Sequence, residues 1–324
     1  MVKVLVLEDS SLGKNLLQKY SDEEIVHYKL SRFKDGEIFV ELTEPVRGDD
    51  ITVVASICNP VNENLVKILV CVDTLRRASA KSINLVIPYL GYSRRDRKVK
   101  PWQPISARLI ADLLETAGAT RVTTFDLHAR QIEGFYNIPI DNVPVMLILG
   151  HRWKKMREAS SKFNISDFVV VSPDHGGVTR AREFMLMANI PNLVIINKFR
   201  EKANVVSNMQ VIGDVKNKNV IIIDDIVDTG GTLMRAASEL KKAGALKVYI
   251  YCTHGVLSDG AIEKLSNCED IEKLVITNTI DKSDELINDR IMYVDISDVV
   301  KSVVDAYIKN EDVYTYIINE LEMN

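Results

Sequence analysis

Short runs of contiguous aliphatic and β-branched residues alternate along the chain with longer helical stretches, an order that builds an α/β fold around parallel strands. Strands are predicted near residues 2–7, 27–31, 38–42, 51–56, 83–88 and 121–125, with helices near 62–79 and 105–117. After a break at Pro139 and Pro144 the style repeats, with strands near 168–172, 193–197, 219–224, 246–252, 273–277 and 291–294. Helices near 145–160, 177–188, 231–243 and 296–309 accompany them. A nine-residue pattern recurs in both halves: Leu75-Arg-Arg-Ala-Ser-Ala-Lys-Ser-Ile83, Leu114-Glu-Thr-Ala-Gly-Ala-Thr-Arg-Val122 and Leu240-Lys-Lys-Ala-Gly-Ala-Leu-Lys-Val248. Each copy reads as a helix end running into a strand, with Gly118 and Gly244 placed to take the left-handed conformation that stops a helix. These patterns predict two domains, residues 1–144 and 145–324, closely packed because no low-complexity linker separates them.

Composition narrows the classes. With 324 residues, 46% hydrophobic content and a formal charge of −4, the chain reads as an ordinary globular protein long enough for two domains, and bulk charge argues against nucleic acid as a partner. No apolar run reaches the roughly 20 residues of a membrane span. Met1 leads straight into the strand-like residues 2–7, too short a stretch for a signal peptide, so a cytoplasmic location is expected. Cys58, Cys71, Cys252 and Cys268 lack ligand spacing and are expected to be free thiols.

The most informative stretch runs from Val220 to Thr232. Four aliphatic residues lead into Asp224 and Asp225, then Ile226 and Val227, then Asp228-Thr229-Gly230-Gly231-Thr232. The aliphatics suit a strand buried on both faces, and the small-residue turn suits a phosphate held by backbone N–H groups and hydroxyls at a helix start. Asp224 and Asp225, at the carboxyl end of the strand, are placed to accept hydrogen bonds from vicinal sugar hydroxyls. The run resembles the phosphoribosyl-binding motif of the type I phosphoribosyltransferase fold. That resemblance implies an α/β protein of two tandem type I phosphoribosyltransferase-like domains, each with a mainly parallel central sheet flanked by helices.

Between a predicted strand and helix, Gly91-Tyr92-Ser93-Arg94-Arg95-Asp96-Arg97-Lys98-Val99-Lys100 gathers five cations. It reads as a phosphate-binding loop, the alternative being a solvated charged face. With Asn84 to Tyr89 before it, Pro104-Ile105-Ser106-Ala107 after it and Asp126-Leu127-His128-Ala129 following the next strand, this span resembles the ATP-binding region of the ribose-phosphate pyrophosphokinase family. The likeness extends over nearly the whole chain, through residues 31–37, 75–80, 131–135 and 138–142.

The resemblance implies transfer of the β,γ-diphosphoryl group of ATP to the anomeric hydroxyl of ribose 5-phosphate, a Mg²⁺ requirement, and a homo-oligomer, a hexamer assembled from dimers. It assigns Arg94, Arg95, Asp96 and Arg97 to ATP, with Phe33, Asp35 and Glu37 meeting the adenine of a neighbouring chain. His128 approaches the triphosphate and its metal, and Asp174 binds the metal. Asp174, His175, Gly176 and Gly177 form the turn for the diphosphate, although His175 stands where the family usually has a small residue and carries no catalytic role. Asp224, Asp225, Asp228, Thr229, Gly230, Gly231 and Thr232 hold ribose 5-phosphate. Lys198 and Arg200, at alternating positions after a strand, match the cations of the family's catalytic loop. Together with His128 they form the catalytic set.

Three positions depart from the usual family pattern, all where the common form binds its activator, inorganic phosphate: Trp102, Pro45 and Val313. None offers phosphate a charge-assisted bond from its side chain. Arg95 stands where glutamine is usual. Two competing functions are a non-catalytic relative of the same fold, and a phosphoribosyltransferase, which would leave the cationic loop unexplained.

Overall fold

In this computed structural model the described residues are 2–7, 9–160, 164–199, 208–282 and 289–323. The chain divides into two compact units, Met1–Val143 with Thr279–Asp281 and Asp295–Asn324, and Pro144–Asn278 with Lys282–Val294. A boundary at residue 144 places residues 295–324 in the second domain, whereas their contacts lie with the first unit.

The first unit begins with β1 (Val2–Val6) and α1 (Ser11–Leu17), followed by the hairpin β2 (Tyr28–Arg32) and β3 (Ile38–Leu42). It continues through β4 (Asp50–Val54), α2 (Val61–Arg77), β5 (Ser82–Ile87), α3 (Ser106–Ala117), β6 (Arg121–Phe125) and β7 (Ile140–Val143). Its five-stranded sheet has the order β1-β4-β5-β6-β7 and every pairing is parallel, while β2 and β3 form a separate antiparallel pair. Leu5, Ile51, Val53, Leu85 and Ile87 of the sheet share one core with Ile68 and Leu75 of α2 and Ile110 and Leu114 of α3.

The second unit opens with α4 (Val145–Glu158), β8 (Phe168–Ser172), α5 (Val178–Met187), β9 (Leu193–Phe199) and β10 (Asn208–Ile212). Then follow β11 (Asn219–Val227), α6 (Gly231–Lys242), β12 (Lys247–Gly255), α7 (Ala261–Ser266), β13 (Lys273–Thr277) and β14 (Ile291–Val294). Its seven strands run β10-β9-β8-β11-β12-β13-β14, parallel except for β10 against β9. α8 (Ser297–Lys309) and α9 (Val313–Met323) close the chain within the first unit, where α8 packs on α1, and the Tyr307 hydroxyl meets that of Thr123.

The nine-residue repeat is one device used three times. Ser79, Gly118 and Gly244 occupy the same repeat position and all adopt positive φ, +65°, +125° and +96°. The following amide bonds back to the first leucine in every copy: Ala80 to Leu75 O at 3.1 Å, Ala119 to Leu114 O at 3.1 Å and Ala245 to Leu240 O at 3.0 Å. This is the helix stop of a Schellman motif. It turns the chain so that Ile83, Val122 and Val248 enter their strands buried. Among the described residues no helix is long and apolar enough to cross a membrane, and all four cysteines are free thiols. Burial pushes the Cys71 thiol up to about 12.

Candidate active site

The acidic strand of the second unit outruns one of its neighbours. β11 pairs with β8 only as far as Ile222 opposite Val171, whereas its pairing with β12 continues to Val227 opposite Gly255. Asp224 and Asp225 therefore lie past the end of β8 while still held in an extended strand. Alternation puts Asp225 on the same face as Ile221 and Ile223 and sends Asp224 to the other. Asp225 is 4% exposed.

A buried carboxylate needs a partner. Arg180, in the first turn of α5, donates from Nη1 to Asp225 Oδ1 at 3.1 Å and lies 4.0 Å from Asp224 Oδ1. The Asp225 amide donates to Asp224 Oδ1 at 3.0 Å. Burial, and next the neighbouring Asp225 carboxylate, push the Asp224 carboxyl well above the usual carboxylate range, with Arg180 opposing the shift.

The turn after β11 is fixed from outside. Ser258 donates its hydroxyl to Asp228, and the Leu257 amide donates to Val227 O at 3.1 Å. Gly230 has φ +76°, and a Cβ there would stand 2.9 Å from Leu265 Cγ, so the turn requires glycine on both backbone and steric grounds. α6 starts at Gly231, which brings Thr229 to Thr232 to a helix N-terminus whose first amides lack intrahelical partners.

The turn after β8 follows the same logic. The Ser172 hydroxyl donates to Asp174 O at 2.6 Å, and the Gly177 amide donates to Asp174 Oδ1 at 3.0 Å, folding residues 174–177 back on themselves before α5 begins. His175 Nε2 lies 3.0 Å from Asn197 Oδ1, tying this turn to β9. Lys198 lies in β9, its backbone paired with Met209. Arg200 lies outside the described residues.

In the first unit Arg94, Arg95, Arg97, Lys98 and Lys100 are all exposed. The loop that carries them is bounded by Tyr92 and Trp102, both in the left-handed region at φ +66° and +62°. Aromatic residues rarely adopt that conformation, and such strain concentrates at functional loops. The loop is braced by its backbone: the Val99 and Lys100 amides donate to Gln103 Oε1 at 3.2 and 3.0 Å, and the Ala107 amide to Arg95 O at 3.2 Å. The Asp96 carboxylate accepts from Gln131, which makes Asp96 a loop anchor. His128 is exposed just beyond β6, where the Leu127 amide donates to Asn142 Oδ1 at 3.1 Å.

Phe33, Asp35 and Glu37 share the tip of the β2–β3 hairpin and are all exposed. Asp35 Oδ1 accepts from the Glu37 amide at 3.2 Å, and the Phe33 ring meets Phe39 edge-on at 5.7 Å between centroids. The start of α2 anchors both segments, through Glu63 to Arg32 of the hairpin and Asn62 to Tyr92 of the basic loop.

Arg180 is the functional candidate that the sequence reading overlooked. Its signal is small but physical: a cation in the first turn of a helix opposes the helix dipole and calls for a specific anionic partner. Ser258, a lone serine in a loop, carried no comparable signal.

Comparison with known proteins adds the following. Residues 2–118 match the family model described as the N-terminal domain of ribose phosphate pyrophosphokinase, and residues 178–319 match the phosphoribosyl synthetase-associated domain. A Clostridium perfringens protein named ribose-phosphate pyrophosphokinase is 52% identical over 252 residues, 78% of this chain and 77% of that protein. Ribose-phosphate pyrophosphokinase 1 of Lactococcus lactis is 44% identical over 296 residues, 90% of each chain. The crystal structure of phosphoribosylpyrophosphate synthetase from Mycobacterium smegmatis superposes with a TM-score of 0.86 at 34% identity, covering 95% of this chain and 99% of that one.

Proposed function

The chain belongs to the ribose-phosphate pyrophosphokinase family and has its activity as a diphosphoryl transferase, and from that premise we propose how its residues divide the work. In the reaction the anomeric oxygen of ribose 5-phosphate attacks the β-phosphorus of ATP. The bond from that phosphorus to the α,β-bridging oxygen breaks, AMP leaves with the electron pair, and the anomeric proton is released. The product is 5-phospho-α-D-ribose 1-diphosphate.

Phosphoryl transfer asks a protein mainly to position the nucleophile and stabilise charge. Asp224 and Asp225 accept from the ribose hydroxyls, while Asp228, Thr229, Gly230, Gly231 and Thr232 hold the 5-phosphate at the N-terminus of α6. The observation that carries this reading is the acid pair fixed past the end of β8, next to that helix start. Asp174 to Gly177 receive the diphosphate. Arg94, Arg95, Arg97 and His128 meet the triphosphate, Asp96 keeps their loop in shape, and Lys198 and Arg200 stabilise charge during transfer. Phe33, Asp35 and Glu37 serve the adenine of a neighbouring chain in a hexamer built from dimers, a reading supported by their exposure on one hairpin tip.

Mg²⁺ fits the donor chemistry. Among the described residues no group of three or more His, Cys, Asp or Glu forms an all-protein cage, and Mg²⁺ in such enzymes takes one or two carboxylates plus substrate phosphates. Asp174, on a turn fixed by Ser172 and Gly177, supplies the carboxylate, with His128 on the triphosphate side. When bound, the ion would neutralise charge on the phosphates.

Incubation with ATP, Mg²⁺ and ribose 5-phosphate should release AMP. A non-catalytic relative would release none, and a phosphoribosyltransferase would consume the activated sugar instead. Within the active enzyme, Asp225→Ala should raise the KM for ribose 5-phosphate by about 10-fold or more, since a carboxylate on sugar hydroxyls binds in ground and transition states alike. Wild-type affinity for the sugar phosphate by calorimetry would remove this turn from the site.

A further inference from the structure

Asp225 is held by a residue that belongs to neither substrate turn. The Arg180 side chain is 14% exposed, and its guanidinium faces two adjacent carboxylates, at 3.1 Å from Asp225 Oδ1 and 4.0 Å from Asp224 Oδ1. Exposed ion pairs contribute little, but a buried one cannot lose a partner without leaving an uncompensated charge. The location is equally pointed. Arg180 stands three residues after Gly177, on the helix that starts from the Asp174 turn, and reaches across to β11. It therefore joins the two turns through one rigid helix.

Anchoring Oδ1 fixes the plane of the Asp225 carboxylate and the direction of its other lone pairs. Resting on the assignment of Asp225 to the ribose hydroxyls, we propose that Arg180 is a positioning residue: it aims the Asp225 carboxylate at the sugar and couples that aim to the turn that receives the diphosphate. A planar guanidinium suits the task, because it fixes orientation as well as charge.

The test is a steady-state cycle on the full-length enzyme with ATP, Mg²⁺ and ribose 5-phosphate, using Arg180→Gln, Arg180→Lys, Asp225→Asn and the double variants. Arg180→Gln should raise the KM for ribose 5-phosphate about 10-fold while the KM for ATP stays within about twofold. Arg180→Lys should recover part of that loss. Because Arg180 acts through Asp225, Arg180→Gln/Asp225→Asn should be no worse than Asp225→Asn alone, within about twofold. Losses that multiply in the double variant, or that fall equally on both substrates, overturn the proposal. If Arg180→Gln does not fold, Arg180→Lys and its double variant with Asp225→Asn decide by the same rule. A wild-type KM in Asp225→Asn would instead sink the assignment of Asp225, whereas a raised KM there beside a silent Arg180→Gln sinks the role of Arg180 alone.

Discussion

The acid pair at the end of β11 is drawn into the protein, with Asp225 4% exposed and paired to Arg180, while in the first unit five cations of one loop all face water. On the proposed roles, the difference follows from what each group would hold. A carboxylate that accepts from sugar hydroxyls must be aimed before the sugar arrives, because a hydroxyl gives little energy with which to reorient it. Cations that meet a triphosphate repel one another until the anion is present. Two charges 4 Å apart interact by about 1 kcal/mol in water but by about 4 kcal/mol at the effective dielectric of a protein surface, so solvent exposure is the less costly way to keep them together. On the proposed assignment the acid pair is oriented before its ligand arrives, while the cationic side chains reach solvent from a loop braced by its own backbone.

Lys198 tests that division hardest, because on the proposed assignment it adds a cation for the triphosphate to the unit that carries the acid pair. Lys198→Ala should lower kcat about 100- to 1,000-fold, the loss expected when a contact made in the transition state is removed. The KM for ribose 5-phosphate should stay within about twofold, both read from initial rates of AMP formation. A large rise in that KM would mean that sugar-holding and charge-holding are not separate tasks.

A smaller effect sharpens the comparison through stability. The Asp224 carboxyl is raised above its ordinary value in the folded protein, so the folded state binds its proton more tightly than the unfolded one. That contribution to stability is full below the ordinary aspartate value and is lost as pH rises through the raised one. Asp224→Asn should therefore raise the Tm of the substrate-free protein by about 2 °C at pH 8. The gain should vanish below about pH 3, where both states hold the proton. Arg97→Ala, on the exposed loop, should leave Tm within about 1 °C at either pH. Equal shifts in both variants, measured by thermal melts, would erase the contrast between inward and outward charge.

Smallest of all should be the response to inorganic phosphate. Trp102 is 97% exposed, Val313 is buried at the start of α9, and Pro45 is exposed, so none of the three contributes a charged or hydroxyl partner to an anion. A phosphate titration at fixed Mg²⁺ and ionic strength should change the initial rate by less than about twofold, since unpaired desolvation of the anion is costly. Steep activation from near zero would place a cation such as Arg47 or Lys100 in a rebuilt site.

What the sequence revealed is local chemistry that the backbone itself demands. The helix stop is legible in its glycines because φ is positive there, although Ser79 shows that the position tolerates a side chain. The turn at Gly230 is legible for the same reason, reinforced by Leu265. Arg180 was not, because its meaning depends on a partner in a strand 45 residues along the chain. β10 escaped notice as an edge strand paired on one side, and so did the placement of the last helices, since amphipathic spacing tells that a helix has a buried face but not which sheet covers it.

That placement bears on how the protein is made. α1 and β6 find partners in α8, which leaves the ribosome only after the whole second unit has been synthesised. At about 5–20 residues per second, the first unit waits roughly ten to thirty seconds for its last pieces. The unit made first is thus completed last, and a chain stopped before Asp295 would leave the first unit open while lacking no strand of the second unit's sheet.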